Sequence, residues 1–137
     1  MNSIKGKIHT DDRGTLRFFN DFPLDHIVRM YEIEPANTED FRGWQGHLKE
    51  QKWMYCTSGK FTIKVVGITG NDLKDYTIPE TFELQATTPV VLHIPGGNAT
   101  AIRAESPGSR LLIFSDFSLE ESKEDDYRYD INNWKTT

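Results

Sequence analysis

The stretch "FRGWQGHLKEQKWMYCTSGKFTIKVV", residues 41–66, decides the fold. In its last part Phe61, Ile63 and Val65 alternate with Thr62 and Lys64, the period-two pattern of a half-buried strand. "TSGK" before it reads as a tight turn, with Gly59 free to take a positive φ. "KWMYCT" before that turn reads as another short strand. If residues 42–48 form a third, Gln45 and His47 point to the same face, because side chains alternate along a strand. A turn across Leu48–Glu50 resets the phase, and Lys52 then faces the same space. The competing reading puts His47 and Lys52 on a solvated outer face, where most polar strand residues lie. Spacing alone leaves both open.

Working outward, similar runs recur: "TLRFFN", "HIVRMYEIE", "TFELQA", "PVVLHIP", "ATAIRA" and "SRLLIFSDF". They are rich in β-branched and aromatic residues and bounded by Gly, Pro, Asn or Asp. This spacing argues for an all-β sandwich or barrel. One short C-terminal helix is expected from Ser118, because Ser118 and Glu121 have capping-box spacing. "TGNDLKDY" reads as an exposed loop.

A chain of 137 residues is the size of one domain, spanning residues 1–137. No apolar run approaches the roughly 20 residues of a membrane span, and the start lacks a secretory apolar core, so a cytoplasmic protein with no membrane partner is expected. The single cysteine, Cys56, excludes an internal disulfide framework; its neighbours suggest a buried, inert thiol. The net charge is −5, with acidic residues gathered in "SLEESKEDDYRYD". Such a surface repels a phosphate backbone, which argues against nucleic-acid binding. Small molecules and other proteins remain as partners.

Three ordered motifs carry a family likeness: "DDRGTLRFFN", then "RGWQGH" followed by "TSGKF", then "LHIPGGNATAI" before a strand ending in "SDF". With these the chain resembles the sugar-nucleotide branch of the cupin superfamily, the dTDP-4-dehydrorhamnose 3,5-epimerases and the dTDP-4-keto-6-deoxyhexose 3,4-ketoisomerases. The resemblance implies a cupin-type jelly-roll β-barrel (a double-stranded β-helix). It also implies a homodimer that buries N-terminal strands, and a pocket for a nucleotide-linked keto sugar inside the barrel. The ketoisomerases have Arg-Gly, an aromatic, then two histidines separated by one residue; here the pattern reads Arg42, Gly43, Trp44, Gln45, Gly46, His47. The epimerases place a lysine seven residues before the turn glycine, as Lys52 stands before Gly59.

The departures from that pattern limit the chemistry. Metal-dependent cupins carry three histidines and a glutamate where this chain has Gln45, His47, Lys52 and Thr100. One good ligand remains, so neither a metal nor another cofactor is expected. Proton abstraction beside a ketone needs a base of near-neutral pKa, which histidine supplies and Gln45 cannot. The epimerases' tyrosine acid is replaced by an aliphatic residue near Leu112.

His47 is therefore the candidate base, and Lys52 the group that polarises the keto oxygen. Arg42 suits a diphosphate, because guanidinium offers fixed paired donors; a surface ion pair is its competing reading. Trp44 stacks on a sugar or a base, or else fills the core. Gln45, Thr100 and Tyr127 complete the expected substrate-binding set. The tail "YRYDINNW" either folds over the pocket mouth through Tyr127 and Trp134 or covers apolar barrel surface. His93, within "VVLHIP", reads as structural. Three functions compete: an isomerase or epimerase of a 4-keto-6-deoxy sugar nucleotide in polysaccharide biosynthesis, with a degenerate site; a non-catalytic sugar-nucleotide binding protein; and a structural β-barrel dimer.

Overall fold

A computed structural model describes residues 1–69 and 78–134. Most of the expected "TGNDLKDY" loop, from Gly70 on, lies outside the described residues. Among the described residues twelve strands run in chain order: β1 (Asn2–Lys5), β2 (Lys7–Asp11), β3 (Gly14–Phe18), β4 (Arg29–Ile33), β5 (Arg42–His47), β6 (Lys52–Ser58), β7 (Lys60–Gly67), β8 (Glu80–Gln85), β9 (Val90–Ile94), β10 (Asn98–Ala104), β11 (Arg110–Ser115) and β12 (Tyr127–Arg128). Two five-stranded antiparallel sheets, ordered β1-β9-β6-β11-β4 and β12-β5-β10-β7-β8, face each other as a jelly roll. β2 and β3 form a separate hairpin. None of the described helices is long and apolar enough to cross a membrane.

Apart from β3, whose residues are largely exposed in the separate hairpin, the strands expected from the sequence form where their apolar residues can be shared between the sheets. Phe61, Ile63 and Val65 of β7 point inward and pack with Met54, Leu92, Leu111 and Ile113. Burying side chains of this size contributes about 1.5–3 kcal/mol each. Gly59 turns β6 into β7 with φ +72°. A Cβ there would strike the Ser109 side chain, so the turn needs glycine both for its φ and for space. Cys56 lies in this core, and burial pushes its thiol up to about 11. The thiol stays protonated and inert.

The outer face of β7 is less simple than its alternation suggests. Val66 is 1% exposed, because a second apolar cluster covers that face. Trp44, Ile68, Ala99 and Ala101 join Val66 there, and Tyr127, Tyr129, Ile131 and Trp134 of the C-terminal tail pack over them. The tail thus covers barrel surface, the second of the two roles open to it. Ahead of it stands α1 (Leu119–Lys123). Its capping box is closed in both directions, Ser118 Oγ accepting from the Glu121 N–H and Glu121 accepting from the Ser118 N–H.

Candidate active site between the two sheets

A cavity of about 130 Å³ lies between the sheets. Its floor is apolar, made by Ile33, Met54, Ile102 and Ile113, and its polar walls are Tyr31 and Lys52 on one sheet and Arg42, Gln45 and Thr100 on the other. It adjoins an outer cleft of about 260 Å³ that Arg29, Ser122, Lys123 and Asp126 also line, and Arg128 borders both spaces. A small apolar chamber with a few convergent polar groups is the usual form of a small-molecule site.

β5 reaches this cavity through an irregular register. Thr100 of β10 pairs with Gln45, but Ala101 pairs with Gly43, leaving Trp44 as an extra residue in the ladder. A bulge of this kind re-aims the side chains around it. Regular alternation would put Arg42 and Gln45 on opposite faces; with Trp44 inserted, both line the cavity. Gly43 makes the bulge possible. It has φ +150°, and a Cβ there would collide with the Thr100 carbonyl oxygen.

Trp44 itself is turned away from the cavity. Its ring is 1% exposed, lies edge-on to Trp134 at 5.2 Å, and donates from Nε1 to the Asn133 carbonyl at 2.9 Å. It serves the outer cluster, so the expected stacking on a substrate does not match its place. Tyr127 packs against the same cluster and lines neither space. Its chain neighbour Arg128 points the other way, as strand alternation requires, and faces the cleft.

His47 is buried at 5% exposure and lines neither the cavity nor the outer cleft. Its Nδ1 lies 2.6 Å from the Asp125 carbonyl oxygen. A carbonyl only accepts, so the proton sits on Nδ1 and Nε2 carries the lone pair. Among the described residues, Nε2 is the buried side-chain polar atom without a hydrogen-bond partner. Burial, joined by the nearby Lys52 charge, lowers the His47 pKa. A neutral imidazole with an unused lone pair follows.

Sequence reasoning left the groups around His47 unnamed. Glu50, whose side chain is fully buried, stands 3.5 Å from His47 Nδ1. It accepts from Arg29 Nη2 at 3.0 Å, Ser115 Oγ at 2.7 Å and Ser122 Oγ at 2.6 Å. The Asp125 carboxylate caps the Leu48–Glu50 turn, accepting from three consecutive backbone N–H groups at 2.8 Å. That capped turn is the phase reset that brings Lys52 to the same space as Gln45. His93, expected to be structural, stacks on Trp53 at 4.7 Å and pairs its Nε2 with Gln51 Oε1 at 2.8 Å.

Lys52 is 7% exposed and its Nζ donates to the Tyr31 hydroxyl at 2.8 Å. Among the described residues neither Lys52 nor Arg42 has a carboxylate partner, whereas Arg29, Lys123 and Arg128 each have one. A buried ammonium without a counter-charge is costly. The site is set up to receive negative charge, within a chain whose net charge is −5. As to metals, the described residues include no group of three or more His, Cys, Asp or Glu placed to hold one.

A family model, FdtA, described as WxcM-like, C-terminal, matches residues 2–137. The chain belongs to this WxcM-like family. No curated protein sequence matches it, but solved structures do. The QdtA 3,4-ketoisomerase from Thermoanaerobacterium thermosaccharolyticum, solved with TDP, is 24% identical with TM-score 0.73, over 93% of this chain and 87% of that one. ChmJ, a 3'-monoepimerase from Streptomyces bikiniensis solved with dTDP-quinovose, is 14% identical with TM-score 0.76, over 94% and 69%. The dTDP-4-dehydrorhamnose 3,5-epimerase from Bacillus anthracis, solved with TDP and PPi, is 17% identical with TM-score 0.74, over 95% and 78%. These likenesses establish the cupin-type jelly roll for the WxcM-like chain.

Proposed function

We propose that this WxcM-like protein is an isomerase or epimerase of a nucleotide-linked 4-keto-6-deoxy sugar, acting without a metal in the cytoplasm in polysaccharide biosynthesis. The observation that carries the reading is the concentration of positive charge at the cavity mouth. Arg29, Arg42, Lys52, Lys123 and Arg128 surround one cleft against the carboxylate of Asp126, and among the described residues Arg42 and Lys52 there have no carboxylate partner, whereas the other three do. A diphosphate fits that charge, and the smaller inner cavity then receives the sugar. The solved structures of the same fold with TDP or a dTDP-sugar bound support the choice of ligand.

In this reading His47 Nε2 takes the proton from the carbon next to the ketone. Lys52, already desolvated and without a carboxylate partner among the described residues, holds the oxyanion that develops. Arg42 and Arg128 hold the diphosphate, while Gln45 and Thr100 hydrogen-bond the sugar. A homodimer belongs to the same proposal. The N-terminal part exposes Leu16, Leu24, Val28 and Met30, an apolar surface that a second copy would cover.

A second reading has its own support. Gln45 stands where a base would serve, and His47 is almost sealed from the cavity. Both suit a protein that binds a sugar nucleotide without turning it over. The two separate in deuterated water with dTDP-4-keto-6-deoxyglucose, followed by proton NMR. Solvent exchange next to the ketone, lost in His47→Ala while dTDP binding persists, supports the enzyme. Binding without exchange leaves the binding protein, and absence of binding removes both.

A further inference from the structure

Gln45 lines the cavity with an amide whose direction is set from outside it. Arg128 of β12 stands opposite Gln45 of β5 in the ladder, and Asp126, two residues before Arg128, shares its face by strand alternation. The Asp126 carboxylate lines the outer cleft but not the cavity. Its Oδ1 accepts from Arg128 Nε at 2.8 Å and, through a long bond of 3.4 Å, from Gln45 Nε2. Burial alone pushes the Asp126 carboxyl upward, but the Arg128 hydrogen bond and charge outweigh it and lower its pKa. An ionised carboxylate only accepts. The reverse orientation would set the Gln45 oxygen against that negative charge, so the amide nitrogen faces Asp126. Oε1 is left for the cavity, and among the described residues it has no hydrogen-bond partner. The rest of the polar lining is of another kind. Arg42, Lys52 and Arg128 only donate, while the Tyr31 and Thr100 hydroxyls both donate and accept. Among the described residues Gln45 Oε1 is thus the side-chain oxygen of the lining that accepts and cannot donate.

We propose that Asp126 is a positioning residue for substrate selection: it turns Gln45 Oε1 into the cavity, where that oxygen selects a sugar with a free hydroxyl at the carbon facing β5. The proposal rests on the sugar-nucleotide part of the reading above and needs no turnover. A neutral amide oxygen fixes the ring through the hydroxyl without adding a base to this wall. A sugar lacking that hydroxyl leaves the oxygen desolvated and unpaired, which disfavours binding far more than the same loss at an exposed site.

The test measures by calorimetry the affinity of the full chain for dTDP, for dTDP-6-deoxyglucose and for its analogues lacking the hydroxyl at C2 or at C3. Wild-type protein should bind one of the two analogues about ten- to a hundredfold more weakly than the parent. In Asp126→Ala the Arg128 guanidinium becomes the polar group beside Gln45 and attracts Oε1, so the amide turns over and the discrimination should shrink to within a few-fold. dTDP itself should bind a few-fold more tightly to this variant, because a negative charge has left the cleft. Gln45→Met keeps the length and removes the oxygen; it should lose the same discrimination, and adding Asp126→Ala should change selectivity no further. Equal binding of parent and both analogues by wild-type protein overturns the proposal. So does discrimination that survives Asp126→Ala, selectivity that Asp126→Ala still alters in the Gln45→Met protein, or a parallel loss of dTDP and all sugars, which marks Asp126 as a support for Arg128 alone. A wild-type protein that binds no dTDP-sugar removes the sugar-nucleotide reading as well, an outcome visible before any variant is made.

Discussion

Glu50→Ala should be the most destabilising single change near the site, and its size can be worked from the contacts. The carboxylate is fully buried and receives one charge-assisted bond from Arg29 and two hydroxyl bonds from Ser115 and Ser122. Removing one member of a buried ion pair costs about 3–5 kcal/mol. The lower end applies here, because the Arg29 side chain is 22% exposed and keeps the Phe117 carbonyl. Ser115 also retains the Phe117 carbonyl at 3.3 Å, so its hydroxyl adds little, while Ser122 adds about 1 kcal/mol. A loss of about 4 kcal/mol follows for alanine. For glutamine, which keeps the shape and one acceptor oxygen, the loss is about 2 kcal/mol. At about 3–5 °C per kcal/mol for a domain of this size, alanine lowers Tm by about 12–20 °C. Urea unfolding followed by tryptophan fluorescence measures the free energy directly, and Arg29→Ala/Glu50→Ala should lose less than the sum of the single changes. A Glu50→Ala protein within about 1 kcal/mol of wild type would show that the pair contributes nothing and that the site does not depend on it.

The pH dependence gives two further tests. Burial and the Lys52 charge hold the His47 pKa below its usual 6.5, so its NMR titration midpoint should fall below that value and rise in Lys52→Met; a wild-type midpoint at or above 6.5 contradicts the burial argument. The unfolded chain takes up this proton first, so stability should decline as pH drops below about 6.5 and level off for this group below the folded pKa. For Asp125, burial alone pushes the carboxyl upward, but hydrogen bonds from the Glu50, Leu48 and Lys49 backbone outweigh it and lower the pKa. Its stabilisation is therefore present above about pH 4 and lost as pH falls through the folded value. Asp125→Asn should cost about 2 kcal/mol at pH 7, and urea midpoints of the two proteins should converge toward pH 2. Arg128→Ala and Arg42→Ala should each weaken dTDP binding about tenfold or more and reduce its salt dependence in calorimetric titrations; unchanged affinity removes the diphosphate assignment.

The barrel was legible because its strands bury apolar residues on a shared interior, as Phe61, Ile63 and Val65 do. β1 and β2 carry no such signal. "NSIK" and "KIHTD" are largely exposed in the structure, so neither alternation nor a run of apolar residues marks them. β12 is two residues long and pairs with β5 through contacts that no local pattern encodes. The capping box of α1 was readable because both partners lie within one turn. Trp44 was ambiguous for a definite reason: its role depends on a register irregularity between β5 and β10, a property of two strands far apart in the chain.

The same reasoning separates what could and could not be found in the site. Gln45 and Lys52 were brought together by a phase reset visible in the sequence, but the group that enforces it, Asp125, comes from the far end of the chain. Arg128 was hidden within a tail whose aromatic residues drew attention to the opposite face. Tyr31 was hidden in a strand that its apolar neighbours already explained. These groups meet through Glu50, which stands beside His47 and, through Arg29, supports the Tyr31 ring from below. One buried carboxylate thus touches both the candidate base and the arginine that packs on the Tyr31 ring. Its ties to Ser115 and Ser122 fasten that arrangement to β11 and to α1. Loss of the Ser122 tie alone should therefore disturb His47 and Tyr31 together. Ser122→Ala should slow deuterium exchange and product formation in parallel. Equal exchange rates in Ser122→Ala and wild type would show that His47 is positioned independently of that tie.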